Sequence, residues 1–354
     1  MTGSEGKGTS GRTLTVREFD GEAAHWDDYV RRAPAASFCH LAGWREVIRD
    51  VLGHEHAYLV ASQESGEWEG VLPLFHVRSA LFGNYLLSMP FLNYGGAVGT
   101  DEARRVLGER AVEIARSRGV KLLELRNRAI PPAPPLKRFD RKITVVLDLP
   151  EDPTELWEKG IRSKVRSQIR RPQKEGMTAR FGPGERAPFY RIFAENMRDL
   201  GTPVLPARFF ERVADIFPGI VEFGCVYKGA TAVAAGCGFA WQGEFEMTWA
   251  SSIRKYNAMA PNMLLYWTFM EEMIGRGNRA FNFGRCTPGG GTHRFKSQWG
   301  GRDEPLPWGQ WSPTGVSETP NPDRPLFQLA TRVWSRLPLA IANRVGPLLA
   351  RRLP

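Results

Sequence analysis

The chain has 354 residues, a hydrophobic fraction of 42% and a formal net charge of +10 at pH 7. That length predicts two domains, and that apolar content supplies real cores, which excludes a wholly disordered chain. The basic surface favours anionic partners: nucleic acid, phosphorylated sugars or acidic lipid head groups.

Residues 1–12, MTGSEGKGTSGR, are small and polar, lack the apolar core of a signal peptide, and predict a disordered tail. Residues 14–19 alternate like a strand, and residues 23–32 and 41–52 read as helices, with Ser37 as a cap for the second. Residues 56–62, 69–78 and 85–89 read as strands with glycine-containing breaks between them. Residues 101–118 form a helix pattern with Asp101 and Glu102 in the first turn and Gly119 at the end. Strands follow at 122–126 and 143–149, separated by the proline-rich loop IPPAPPL at 130–136.

The second half repeats this order. Residues 187–200 and 207–217 predict helices; 220–227, 231–241 and 244–252 predict a three-strand meander; a helix at 261–276 and a strand at 280–284 complete it. One α+β module used twice accounts for the echo; a single large mixed sheet is the alternative. Residues 324–354 predict two short helices joined at Pro338, with six arginines and no acid. They either rest on acidic lipid or pack their apolar face on the second domain. No apolar run is long enough to cross a bilayer.

The densest chemical signal is FNFGRCTPGGGTHRFKSQWG at residues 281–300. A strand ending at Gly284-Arg285, a turn of Gly289, Gly290 and Gly291, and a basic helix start together predict a place for a negative group against backbone N–H. The plain alternative is a surface hairpin with a flexible turn. Lys296 can neutralise the charge that develops in an acyl-transfer intermediate or hold a phosphate. His293 can act as a base, although a lone histidine is usually structural. Cys286 lacks a base in the sequence to make it a nucleophile.

Residues 159–174 carry seven Lys or Arg and no acid. At helical spacing Arg162, Arg166 and Arg170 share a face, which reads as an anion-binding face or as a solvated basic helix. The stiff loop after Asn196 carries Arg198 and Asp199 at its entrance, either as a site wall or as an ordinary helix end. Asp199 joins Lys296 and His293 as a candidate catalytic residue. The cysteines Cys39, Cys225, Cys237 and Cys286 form no C-x-x-C pair, and His54 and His56 lack a third ligand. No metal is expected, and the cysteine usage suits a reducing cytosol.

Several segments resemble the FemAB group of GNAT-like acyltransferases, and more narrowly the FemAB-type proteins associated with exosortase/PEP-CTERM systems. They are HLAGWREVI from His40, VLPLFHVRSALFGNYLLSMPFLNYGG from Val71, LLELRNR from Leu122, NMRDLGTPVLPARFF from Asn196, and the 281–300 segment. The resemblance implies an α+β fold of two tandem GNAT-like domains, each a mixed central sheet flanked by helices. These occupy residues 13–150 and 151–322, the latter with a basic helix at 159–175, followed by basic C-terminal helices at 323–354. It implies transfer of an acyl or aminoacyl group to an amine on a cell-envelope or exopolysaccharide precursor. The co-substrate would be acyl-CoA or aminoacyl-tRNA, with no tightly bound cofactor. By position, Lys296 matches the family's lysine near the transfer centre. Arg198 resembles the arginine that meets the precursor's phosphates, and residues 162–174 its basic segment. Arg285 and the three loop glycines complete the expected binding set. The coiled-coil arm that often accompanies tRNA-dependent members has no room between Thr178 and Ala187. The acceptor would be a small molecule or a nucleotide- or lipid-linked sugar, met in the cytoplasm or at the inner membrane face. The alternative of another class is a non-catalytic binder of an anionic glycan or lipid-linked sugar.

Overall fold

The computed structural model describes residues 14–79, 83–315 and 325–353; the 1–12 tail lies outside them. The strands are β1 Thr15–Glu18, β2 Glu55–Ser62, β3 Trp68–Ser79, β4 Gly83–Leu87, β5 Val98–Gly99, β6 Leu122–Leu125, β7 Lys137–Asp148, β8 Met177–Phe181, β9 Val221–Lys228, β10 Thr231–Trp241, β11 Glu244–Ser252, β12 Ala280–Cys286 and β13 Arg302–Trp311. They form one mixed sheet in the order β1-β2-β3-β4-β6-β13-β7-β12-β11-β10-β9-β8, with β5 beside β3.

The helices are α1 Ala23–Arg32, α2 Trp44–Leu52, α3 Asp101–Ser117, the single turn α4 Pro153–Glu155, α5 Ser163–Lys174, α6 Arg186–Asp199, α7 Ala207–Ile216, α8 Pro261–Gly275, α9 Gly291–Ser297, α10 Pro325–Trp334 and α11 Leu339–Ala350. The two halves share an order, two helices, a meander, a helix and a strand parallel to the meander's last strand, so the α+β module is used twice. In each half the parallel pairing is short: β4 with β6, and β11 with β12.

The halves are interlocked. β13, from the end of the second half, lies between β6 and β7, and β7 pairs with β12. The sheet is therefore continuous across the boundary expected near residue 150. β13 is not apparent from the sequence, because Arg302, Asp303 and Glu304 and then Pro305 and Pro307 obscure its alternation. A register shift between Leu306 and Trp308 accommodates Pro307, which cannot donate to a ladder.

Local chemistry sets the elements. Thr100 caps α3 by accepting from the Ala103 N–H, and Leu107, Ala111 and Ala115 turn inward onto β2 and β3. Ser37 caps a short 3-10 turn, Phe38–His40, rather than α2, which begins only at Trp44. α8 buries Leu264, Leu265, Phe269, Met270 and Met273, because α5 covers the side that the sheet does not. One core crosses between the halves: Phe38 stacks on Phe239 with ring centroids 4.2 Å apart, and Trp44 meets Phe217 at 4.7 Å.

Candidate functional site

β11 and β12 pair only from Glu244–Ala280 to Glu246–Asn282 and then separate. On its other side, against β7, the register of β12 shifts at a bulge between Asn282 and Arg285. Gly284 sits in that bulge at φ 72, and a Cβ there would meet the Met247 carbonyl at 2.8 Å, so the bend requires glycine. The separating strands leave an opening in the sheet beside the residue 88–97 loop of the first half.

Polar side chains from both halves converge here. Asn93 donates from Nδ2 to Glu246 Oε1 at 2.7 Å, and Thr248 Oγ1 donates to the same oxygen at 3.1 Å. Asn282, fully buried, donates to Tyr94 Oη at 2.8 Å and to Glu244 Oε1 at 3.0 Å; its own Oδ1 accepts from the Gly284 N–H at 2.9 Å and from Thr144. Arg128 forks onto Glu244 at 2.8 and 2.6 Å and lies over the Tyr94 ring.

Glu246 is the unusual member. It is 1% exposed, and its Oε2 has no hydrogen-bond partner among the described residues. Burial, reinforced by the charge of Glu244, pushes its pKa up to about 7. It lines a cavity of about 160 Å³ with Ser37, Tyr94, Arg128, Trp241 and Glu244. A buried carboxyl that titrates near neutrality beside a cavity can take a proton from a substrate.

Lys296 is 5% exposed, on α9, and donates to the carbonyls of Gly284 at 2.6 Å and Arg285 at 3.1 Å. Burial brings its pKa down to about 8. It therefore fixes the bulged end of β12 and holds a buried, titratable cation against those two carbonyls. Arg285, next along, stacks on Trp308 at 5.0 Å, and Arg126 lies over the same ring at 5.1 Å. Arg126 is bound to Glu124 and to the carbonyls of Met89 and Leu92. Arg285 has no hydrogen-bond acceptor among the described residues; burial and then the Arg126 charge bring its pKa down to about 10.

The other expected residues lie in different settings. His293 Nδ1 accepts from the Gly289 N–H at 3.0 Å, and its Nε2 faces Asp303 at 2.9 Å, so this imidazole pins the glycine turn. The Gly290 N–H donates to the Thr287 carbonyl. Two of the loop's three glycine donors thus point within the loop, and a Cβ at Gly289 or Gly291 would meet nothing within 4 Å. The open backbone cradle expected from the glycines is not formed by Gly289 and Gly290.

Arg198 donates to Asp199 at 2.7 Å and to the Leu337 carbonyl at 3.0 Å, which ties the end of α6 to the C-terminal helices. The bonds of Asp199 and those of Lys296 have no residue in common. Arg162 is the N-cap of α5 rather than part of its face. Arg166 closes the preceding turn through the carbonyls of Trp157, Glu158 and Ile161, and Arg170 covers the Trp157 ring. Among the described residues no group of His, Cys, Asp and Glu is arranged to hold a metal ion.

Sequence reasoning missed Glu246, Asn93, Asn282 and the Arg126–Glu124 pair. The signal for Glu246 was the polar register Glu244, Glu246, Thr248 along β11. In a meander that register usually faces water; here it faces the other half.

Residues 159–297 match the family model described as an acetyltransferase (GNAT) domain. No curated protein matches the chain. Among solved structures, the one titled "Crystal structure of FemX" is similar at TM-score 0.63 and 14% identity, covering 89% of this chain and 100% of that one. The C-terminal domain of a putative lysylphosphatidylglycerol synthetase from Agrobacterium fabrum is similar at 0.55 and 14%, covering 88% and 96%. A tandem GNAT protein from the clavulanic acid biosynthesis pathway is similar at 0.50 and 14%, covering 86% and 100%. At these identities the likeness is one of fold, and that fold is the tandem GNAT-like α+β architecture.

Proposed function

We propose that the protein is an N-acyltransferase of the FemAB type, acting where β11 and β12 part. The observation that carries this reading is Glu246: a buried carboxyl with one unpartnered oxygen and a pKa near 7, on the wall of a cavity between the halves. In the reaction an acceptor amine enters that cavity and attacks the acyl carbonyl of a thioester. A C–N bond forms, the C–S bond breaks, and the amine proton passes to Glu246; the departing thiolate takes a proton from water, and Glu246 returns its own to solvent, so the net products are the amide and the free thiol. Lys296 supplies positive charge beside the developing oxyanion.

Acyl-CoA is the donor in this reading. Arg254 and Lys255 are exposed between the end of β11 and the N-terminus of α8, a 15-residue helix without a side-chain cap, which suits a phosphorylated donor. Aminoacyl-tRNA has no comparable support. The acceptor is an amine that also carries an anionic group, such as an amino sugar of a cell-envelope or exopolysaccharide precursor. Arg285, cationic and without an acceptor among the described residues, fits that group.

The test incubates the purified full chain with acetyl-CoA and a panel of free and nucleotide-linked amino sugars, reading thiol release and N-acetylated product by mass. Lys296→Met is expected to abolish transfer with circular dichroism unchanged. Thiol release from no acceptor, or full activity in Lys296→Met, rejects the reading.

A further inference from the structure

The C-terminal helices carry a pattern independent of acyl transfer. α11 turns its small residues Ala342, Gly346 and Ala350 inward and its large ones, Ile341, Val345 and Leu348, outward. A Cβ on Gly346 would meet the Val204 nitrogen at 3.1 Å, so the small face is what lets the helix lie against the body. The outward residues share one helical face. With Leu329 and Val333 of α10, and Leu200 at the end of α6, they are the exposed large hydrophobic residues of the described chain, 38% to 60% exposed. Leu200 adjoins Gly201, where a Cβ would collide with Thr331 of α10, so these residues cluster. An apolar cluster of this kind on a monomer marks something that covers it.

The charge beside it says what. Arg332 on α10, Arg336 in the turn after it and Arg344 on α11 are exposed, and the two helices contain no acid. Directly after α11, Arg351 and Arg352 join Arg78 on the wall of a cavity of about 380 Å³, with Leu52, Gly53, His54, Glu55 and His76. His54 is buried there, and its Nε2 has no hydrogen-bond partner among the described residues. The single carboxylate of that wall, Glu55, is engaged by Arg78 at 3.1 Å and Arg118 at 3.5 Å. Three guanidiniums and an unpartnered imidazole nitrogen suit a phosphate.

We propose that the α10–α11 face is a peripheral membrane contact for anionic phospholipid. The apolar residues enter the headgroup–acyl boundary, the exposed arginines meet lipid phosphates, and the Arg78–Arg351–Arg352 cavity holds one headgroup. A second copy of this chain would cover the same leucines and valines only by setting arginines against arginines, which an isologous interface penalises.

Flotation of the full chain with phosphatidylcholine vesicles, with and without phosphatidylglycerol, tests the proposal. The protein is expected to float with the anionic vesicles only, and to be released by high salt. Replacing Ile341, Val345 and Leu348 together by Ser is expected to weaken binding at least about tenfold. Arg351→Glu with Arg352→Glu is expected to weaken it about fivefold per arginine. Because all five positions lie outside the core, circular dichroism should match the parent in each variant. Equal flotation of every variant, or no flotation of the parent, overturns the proposal. So does a dimer in light scattering that the triple Ser variant dissociates, since the face then belongs to a second copy. The readout is vesicle binding alone, so it stands or falls separately from acyl transfer.

Discussion

Asn93 and Glu246 lie 153 positions apart, on the loop of one half and a strand of the other, and meet through a 2.7 Å hydrogen bond. The candidate base is thus oriented by the half that does not contain it. Neither half alone carries the arrangement, which is the physical reason to look for chemistry at their junction rather than in the glycine turn.

Glu246→Gln should separate stability from activity. The fold raises this carboxyl's pKa from 4.5 to about 7, so its protonated form is the stabilising one. That contribution is complete below the ordinary value and is lost as pH rises through the native one. Above it the buried charge costs on the order of 3 kcal/mol, which Gln avoids. The variant should therefore melt above the parent at alkaline pH and close to it in acid, while transfer falls by about 10²–10⁴-fold. Calorimetry at both extremes, beside the thiol assay, reads this directly.

The pH dependence of kcat/KM should be bell-shaped. Glu246 accepts a proton only when ionised, so the rate should climb about tenfold per unit up to roughly pH 7. Lys296 contributes charge only when protonated, so the rate should fall above about pH 8. Asn93→Ala removes a donor to the ionised carboxylate and should move the acid limb upward without moving the alkaline one. An acid limb that stays in place means that Glu246 is not the titrating base.

Arg285→Met should act on acceptor binding. The guanidinium has no acceptor among the described residues and stacks on Trp308. Met retains the ring contact and drops the charge. KM for an anionic amine should rise at least about tenfold, the scale of one charged hydrogen bond, with kcat little changed. For a neutral amine of the same size KM should not rise, and a matching rise with that acceptor removes the assigned role.

His293→Ala should loosen a loop rather than remove a base. The imidazole bridges the Gly289 N–H and Asp303. Amide exchange across residues 287–293 should accelerate, while both limbs of the pH profile persist. Disappearance of the acid limb would instead make His293 the base.

Most elements were legible because their residues repeat with the period of the structure they form. Asp101 and Glu102 announce α3, and the unbroken small and apolar run from Thr231 to Trp241, bounded by Gly229 and Gly243, announces β10. β13 was not, since Pro305, Pro307 and Gly309 read as loop until neighbours on both sides hold them extended. The site was legible in part. Lys296 and Arg285 stand out in a motif, whereas Glu246 looks like the wet side of a strand, and what buries it is Asn93 from the far half. The partners of the α5 arginines were not legible either: Arg166 donates to a run of carbonyls and Arg170 covers a tryptophan ring, contacts that the spacing of the charges does not announce.

β13 has a consequence for biogenesis. The stretch ending at Asp148 leaves the ribosome with the slot between β6 and β7 empty, and the strand that fills it is synthesised more than 150 residues later. Until Trp311 has emerged, two strand edges wait uncovered, open to pairing with a neighbouring nascent chain. Cleavage near residue 150 should therefore give fragments that associate with each other or precipitate, and a holdase that shields those edges should matter more for yield than any faster folding of either half.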